Sequence, residues 1–243
     1  MPTNVWLCPA DLLTANMPQT TLWLKRLCDT ERARMQRYRT ERQKYGFLSA
    51  RALLRTILAT YCHQKPEQLR FTTNRAGKPK LEHPHAPHFS LSHSGHWIAL
   101  AVAPEGAIGI DLEHPRKPRN VMAIARHYYH PSEHQRLSTL DEPARSREFY
   151  RLWTLKEAFF KARGTGISEG LNRVRIAPEG QQPPAYFDFE PEFARKNGRN
   201  ALPRQLYYQH EPMGIEGLHM ALARAEQPLC PQITLFSHNQ LAE

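Results

Sequence analysis

The spacing of apolar residues changes period twice along this chain, and that change restricts the fold more than any other feature. Over 41–62, Leu54, Ile57, Leu58 and Tyr61 recur every three or four positions, with Arg51 and Arg55 one turn apart on another face. The segment therefore reads as an amphipathic helix, which Pro66 stops. Between 89 and 113 the period drops to two: Phe89-Ser-Leu-Ser and Ile108-Gly-Ile-Asp-Leu-Glu113 alternate as half-buried strands do. A long helix returns over 145–163 and ends at Arg163-Gly-Thr-Gly166. Around these lie a short strand at 4–7, a charged helical stretch at 21–38, a strand at 69–72 and a turn at 74–79. A helix over 120–127 and another starting at Pro131 follow, then strands at 172–176, 185–189, 205–209 and 218–223 and a loosely ordered tail over 229–243. Two blocks result, 1–105 and 106–228, each mixing helices with short strands, and no repeat of fixed period links them.

At 243 residues the chain can bury most of its unfolded surface without a disulfide or a metal staple. Lys plus Arg is 33 and Asp plus Glu is 23, a net charge of +10 that favours an anionic partner. A basic nucleic-acid module is the rival reading of that charge. The basic residues form no single stripe with interleaved aromatics, and no helix-turn-helix or zinc-finger pattern stands out. No apolar run is long enough to span a membrane, and the N-terminus lacks the basic and apolar regions of a secretory signal. Cys8, Cys28, Cys62 and Cys230 are scattered, so reduced thiols in a cytoplasmic protein are expected. Neither a phosphate-binding G-x-x-x-x-G-K-[ST] loop nor G-x-G-x-x-G is present.

Four segments carry candidate chemistry. Asp111 and Glu113 are two apart on a strand, so both carboxylates face one way, with Ile110 and Leu112 opposite. Like charges this close need a cation or basic groups nearby, unless they stand in water at a strand end. Glu157 and Lys161 share a helix face, as an exposed ion pair or, among Trp153, Phe159 and Phe160, as a buried carboxylate that requires a partner. Ser90, Ser92, His93, Ser94 and Gly95 read as a phosphate-binding exit turn, a structural turn or, less well, a serine–histidine dyad. Asn74-Arg-Ala-Gly-Lys-Pro79 is a glycine turn presenting Arg75 and Lys78 to an anion. The histidines at 83, 85, 88, 93 and 96 fit no standard metal spacing and read as part of a solvated loop.

In their order, Asn74…Gly77-Lys-Pro79, Phe89-Ser-Leu-Ser-His-Ser-Gly95, Ile108-Gly-Ile-Asp-Leu-Glu113 and Trp153-x-x-Lys-Glu157-x-x-x-Lys161 resemble the 4′-phosphopantetheinyl transferase superfamily. The length and two-block layout are similar to the surfactin-synthetase-activating type. The resemblance spans roughly residues 31–166. It implies an α+β fold of two similar α/β subdomains related by pseudo-twofold symmetry, with the active site at their interface. It implies transfer of the phosphopantetheine arm of coenzyme A to a serine of an acidic apo carrier protein, with release of adenosine 3′,5′-bisphosphate, by a monomer that needs neither membrane nor nucleic acid. By position, Asp111, Glu113 and Glu157 would hold Mg²⁺, for which Mn²⁺ could substitute. Lys161 would stabilise the leaving phosphate, and Glu157 or a metal-bound water would take the serine proton. Ser92 and His93 would hold the 3′-phosphate, with Lys78 and Arg51 on the nucleotide. Arg116, Lys117, Arg119 and the stretch 126–136 would meet the carrier. Ser90 stands where asparagine is common, and Leu112 lies between the two acids, so Glu113 must supply the third oxygen. A degenerate homologue that binds coenzyme A or a carrier without turnover is the remaining alternative. The presence of all three acids and Lys161 disfavours it.

Overall fold

The structure, a computed structural model, describes residues 3–167, 170–178, 185–186, 203, 205–225 and 229–241. The first half runs β1 (Asn4–Pro9), α1 (Pro18–Arg26), α2 (Asp29–Gln36), α3 (Glu41–Cys62), β2 (Phe71–Thr73), β3 (Pro79–Leu81), β4 (His88–Ser94) and β5 (Trp97–Ala103). The second half runs β6 (Ile108–Glu113), α4 (Val121–Tyr128), α5 (Pro131–Ser138), α6 (Ala144–Arg163), β7 (Arg175–Ile176), β8 (Ala185–Tyr186), β9 (Gln205–His210) and β10 (His219–Arg224), and β11 (Gln232–Leu235) follows. Element for element the halves share one order. They also share one pairing: β1-β5-β4 in the first sheet and β6-β10-β9 in the second, antiparallel throughout.

The wiring beneath the helices repeats as well. On α2, Glu31 closes a capping box and pairs with Arg55 of α3 at 2.7 Å, while Arg55 donates to the carbonyls of Pro66 and Leu69. On α5, Glu133 closes a capping box and pairs with Lys156 of α6 at 2.7 Å, while Lys156 donates to the carbonyls of Leu171 and Val174. A buried charge is stable only with such partners, and here each pair ties a long helix to the segment that follows it.

The two sheets pack face to face. Val5 and Leu7 of β1, Ala99 and Ala101 of β5, Ile108, Ile110 and Leu112 of β6 and Met220 and Leu222 of β10 fill the space between them. On its outer face the first sheet carries α3, with Leu53, Leu54, Ile57 and Leu58 buried, and the second carries α6, with Leu152, Leu155, Phe159 and Phe160 buried. The order is helix, sheet, sheet, helix, which explains both sequence periods: each long helix covers a sheet, and each strand of period two divides its side chains between two cores.

Three expectations are revised. The stretch 21–38 is two helices, α1 and α2, because the backbone is extended at Leu27 and Cys28. The strand expected at 172–176 is confined to Arg175–Ile176, preceded by a 3₁₀ turn at Leu171–Arg173. The segment 229–241 is not a loose tail: β11 pairs in parallel with β1, and Phe236 and Leu241 are buried in the first core. Of the strand expected at 185–189, residues 187–189 lie outside the described residues.

Candidate active site

The alternation of β6 turns Gly109, Asp111 and Glu113 toward α6, opposite Ile108, Ile110 and Leu112. Gly109 sets how close the helix comes. A Cβ at that position would lie 2.0 Å from the Ala158 carbonyl oxygen and 2.4 Å from the Ala162 nitrogen, so only hydrogen fits. Glu157 and Lys161 stand one turn apart on the pressed helix, and Lys161 reaches the strand. The Lys161 ammonium donates to Asp111 Oδ1 at 2.6 Å and to Ser92 Oγ at 2.9 Å. Ser92 donates to the same Asp111 oxygen at 2.9 Å, and Ser94 donates to Glu113 Oε2 at 3.2 Å. Asp111 Oδ2 is buried and, among the described residues, has no hydrogen-bond partner.

The electrostatics show a site short of positive charge. Burial holds the Asp111 carboxyl above its ordinary range, against the Lys161 charge and hydrogen bonds from Lys161 and Ser92. Glu113 is raised by burial and then by Asp111, with Arg119 opposing. Glu157 is pushed up to about 7 by burial and then by Asp111, with Lys161 opposing and Glu113 adding. Three carboxyl groups thus face one ammonium. Among the described residues, no three acidic, histidine or cysteine side chains converge tightly enough to enclose a metal ion by themselves. A hard divalent cation takes one or two carboxylates and completes its shell with water and phosphate oxygens. The unpartnered Asp111 Oδ2 is an oxygen donor of the required chemistry.

The remaining expected residues separate into two groups. Ser92 and Lys78 are engaged inside the protein. The Ser92 hydroxyl is buried between Asp111, Lys161 and the Leu112 N–H. The Lys78 ammonium donates to the carbonyls of Ile108, Lys161 and Ala162 at 3.0, 2.6 and 3.3 Å, and burial lowers it to about 8. Asn74 shapes this loop by accepting the Ala76 and Lys78 N–H groups, and its amide donates to the Gly164 carbonyl at 2.7 Å. The glycine turn is therefore a clasp from the first half onto the C-terminus of α6, where the helix dipole favours a cation. Lys78→Met is expected to lower the free energy of unfolding by about 1.5–3 kcal/mol in urea titrations. A change within experimental error would show that the three carbonyl contacts are not stabilising.

Arg51, its side chain largely buried, and exposed His93 take no part in these hydrogen bonds among the described residues. The Arg51 guanidinium sits 5.2 Å over the Phe47 ring and 3.8 Å from Glu31, and its buried Nε has no hydrogen-bond partner among the described residues. His93 is exposed; crowding by neighbouring atoms, and then the charges of Lys161 and Arg34, hold its imidazole below its usual range. Arg34 also lies over the Phe47 ring, at 5.5 Å, and with Arg37 and Tyr38 it lines a cavity of about 480 Å³.

Two family models match the chain. The 4′-phosphopantetheinyl transferase N-terminal model covers residues 14–105, and the 4′-phosphopantetheinyl transferase superfamily model covers residues 107–223. A relative from Synechocystis sp. is 38% identical over 173 residues, 70% of this chain and 68% of its own length. The 4′-phosphopantetheinyl transferase HetI of Nostoc sp. is 32% identical over 183 residues, 74% of this chain and 76% of its own length. The chain belongs to the 4′-phosphopantetheinyl transferase superfamily. The transferase is also 31% identical to the 4′-phosphopantetheinyl transferase Sfp of Bacillus subtilis over 153 residues, 62% of this chain and 67% of that one. Enzymes of this superfamily transfer 4′-phosphopantetheine from coenzyme A to carrier proteins with a divalent metal.

Arg34 and Arg37 escape a reading of the sequence, and so do the contacts of Asn74 and Ser94. Arg34 and Arg37 are three apart at the end of α2, a helix-face spacing hidden in a stretch where nearly every residue is polar. In sequence Asn74 is turn chemistry and Ser94 part of an exit turn, although each reaches the other half of the protein. Among the described residues, no helix is long and apolar enough to cross a membrane.

Proposed function

We propose that the protein transfers 4′-phosphopantetheine from coenzyme A to a serine of an apo carrier protein in a Mg²⁺-dependent reaction, with Asp111, Glu113 and Glu157 as the residues that hold the metal. One observation carries this reading: three partly or wholly buried carboxyl groups meet a single ammonium, and a buried oxygen of Asp111 is left without a partner among the described residues. The metal, when bound, neutralises the pyrophosphate and orients the leaving group. Glu157 would also take the proton of the carrier serine; its carboxyl, raised to about 7 by burial and by Asp111 in the metal-free site, is brought down by a bound cation and is then the unprotonated acceptor. The serine oxygen then forms a bond to the β-phosphorus as the bond to the adenosine 3′,5′-bisphosphate oxygen breaks. Lys161 stands where charge grows on that leaving phosphate. Arg51, Arg34 and Arg37 offer positive charge to the 3′-phosphate and nucleotide, and the exposed His93 a neutral ring N–H. The chain supplies position and charge, and the nucleophile arrives on the partner.

A net charge of +10 steers an acidic carrier toward the protein, and exposed Arg116, Lys117 and Arg119 lie three to six residues after Glu113. The test is the intact mass of an apo acyl carrier protein after incubation with coenzyme A, Mg²⁺ and this protein. A gain of one phosphopantetheine that chelation abolishes is expected. No gain on acyl, peptidyl and aryl carriers alike, with coenzyme A still bound, would replace the proposal with a binding protein that does not turn over.

A further inference from the structure

The edges of the two sheets meet at β4 and β6, and among the described residues no backbone ladder joins these strands. Serine hydroxyls do so instead. Ser90 Oγ accepts the Ile110 N–H at 3.1 Å, Ser92 Oγ the Leu112 N–H at 3.2 Å and Ser94 Oγ the His114 N–H at 3.0 Å. Both strands advance by two residues at each contact, so period two on one edge is read by period two on the other.

The hydroxyl chemistry then fixes where the protons go. A serine oxygen has two lone pairs and one proton. At Ser92 the Leu112 N–H and the Lys161 ammonium are both obligate donors and take both lone pairs, which leaves the hydroxyl proton for Asp111 Oδ1. At Ser94 the His114 N–H donates in and the hydroxyl donates out, to Glu113 Oε2. Asp111 Oδ1 is thereby filled from Ser92 and Lys161, and Oδ2 is the oxygen left over. Ser90 has the same strand contact, and among the described residues no hydrogen bond joins it to a carboxylate.

We propose that Ser92 and Ser94 of β4 are positioning residues that orient the Asp111 and Glu113 carboxylates from across the seam between the halves. This inference rests on the metal reading of the site given above. The strand supplies a built-in comparison: Ser90→Ala removes a seam hydroxyl only, whereas Ser94→Ala removes a seam hydroxyl and a carboxylate partner.

The experiment measures Mn²⁺ binding by electron paramagnetic resonance, with coenzyme A present, alongside thermal unfolding of each metal-free variant. The two alanine variants are expected to lose similar stability. Mn²⁺ affinity should fall roughly 10–100-fold in Ser94→Ala, as for other groups that orient metal ligands. Ser90→Ala should bind as the wild type does, and Ser94→Thr, which restores a hydroxyl, should recover most of the loss. At saturating metal, kcat of Ser94→Ala should stay within a few-fold of wild type, so that the defect lies in the metal requirement. Equal Mn²⁺ affinity in Ser94→Ala and wild type would overturn the positioning role and leave the metal reading intact, as would equal weakening in Ser90→Ala. A wild type that binds no Mn²⁺ would overturn the metal reading itself, and this inference with it.

Discussion

Glu157→Gln is expected to reduce transfer roughly 10²–10⁴-fold, the span typical of removing a positioned base, and to make the metal-free protein more stable at pH 8. The second effect follows from the first. In the folded protein the carboxyl is pushed from 4.5 up to about 7, chiefly by burial and by Asp111. Between those values the folded chain holds a proton that the unfolded chain has released, so stability falls as pH rises through the window, and the deficit is complete above pH 7. A shift of that size corresponds to at most roughly 3–4 kcal/mol. The substituted amide does not titrate. The variant should match the wild type near pH 4 and unfold at higher urea at pH 8, with chelator present throughout. Asp111 and Glu113 are also raised and keep their own contributions, so the variant's decline with pH is shallower, not absent. Identical urea midpoints at pH 8 would mean that Glu157 is not held in its raised state. On the proposed metal reading, a divalent cation bound at Glu157 would displace that proton, so the metal concentration needed for half-maximal activity should rise as pH falls below about 7.

Gly109→Ala should have the largest effect on folding. The added Cβ would lie 2.0 Å from the Ala158 carbonyl oxygen and 2.4 Å from the Ala162 nitrogen, both backbone atoms of α6 that cannot swing aside. Either β6 or the helix must move, and the expected cost exceeds about 4 kcal/mol, well beyond an ordinary core substitution. Protein that still folds should be poorly active, because α6 carries Glu157 and Lys161 and an ångström of displacement can cost roughly 10²-fold in rate. Gly46→Ala is the counterpart. There the new methyl would meet only the Ala10 carbonyl oxygen at 3.8 Å, inside helix α3, and a gain of about 0.5–1 kcal/mol is expected. Thermal unfolding of the two variants should therefore shift in opposite directions. A Gly109→Ala protein as stable as wild type would show that the strand and helix do not meet this closely.

The chemistry legible in the sequence is local. Residues two apart on a strand and four apart on a helix share a face whatever the rest of the chain does, so Asp111 with Glu113 and Glu157 with Lys161 emerge from spacing alone. What spacing does not hold is the partner across the seam. Lys161 reaches Ser92 over 69 residues of chain, and Lys78 reaches the end of α6 over 83. A hydroxyl or an ammonium looks the same in sequence whether it awaits a phosphate or fills a backbone carbonyl, and only the fold decides. The end of the chain escapes the sequence for a related reason. Gln232-Ile-Thr-Leu235 is too short to announce a strand, and its partner, Asn4–Leu7, lies at the opposite end of the chain. The duplication is likewise invisible as letters, because Arg55 in one half does the work of Lys156 in the other.

That repeated architecture bears on stoichiometry. The face of β1 that turns to its helix carries Trp6 and Cys8, where the corresponding face of β6 carries Asp111 and Glu113. The matched ion pairs set Thr56 and Thr60 of α3 where α6 has Glu157 and Lys161. The first half thus has the scaffold for a second reaction centre and none of its charged groups. Each chain should titrate with one equivalent of coenzyme A and modify one carrier at a time.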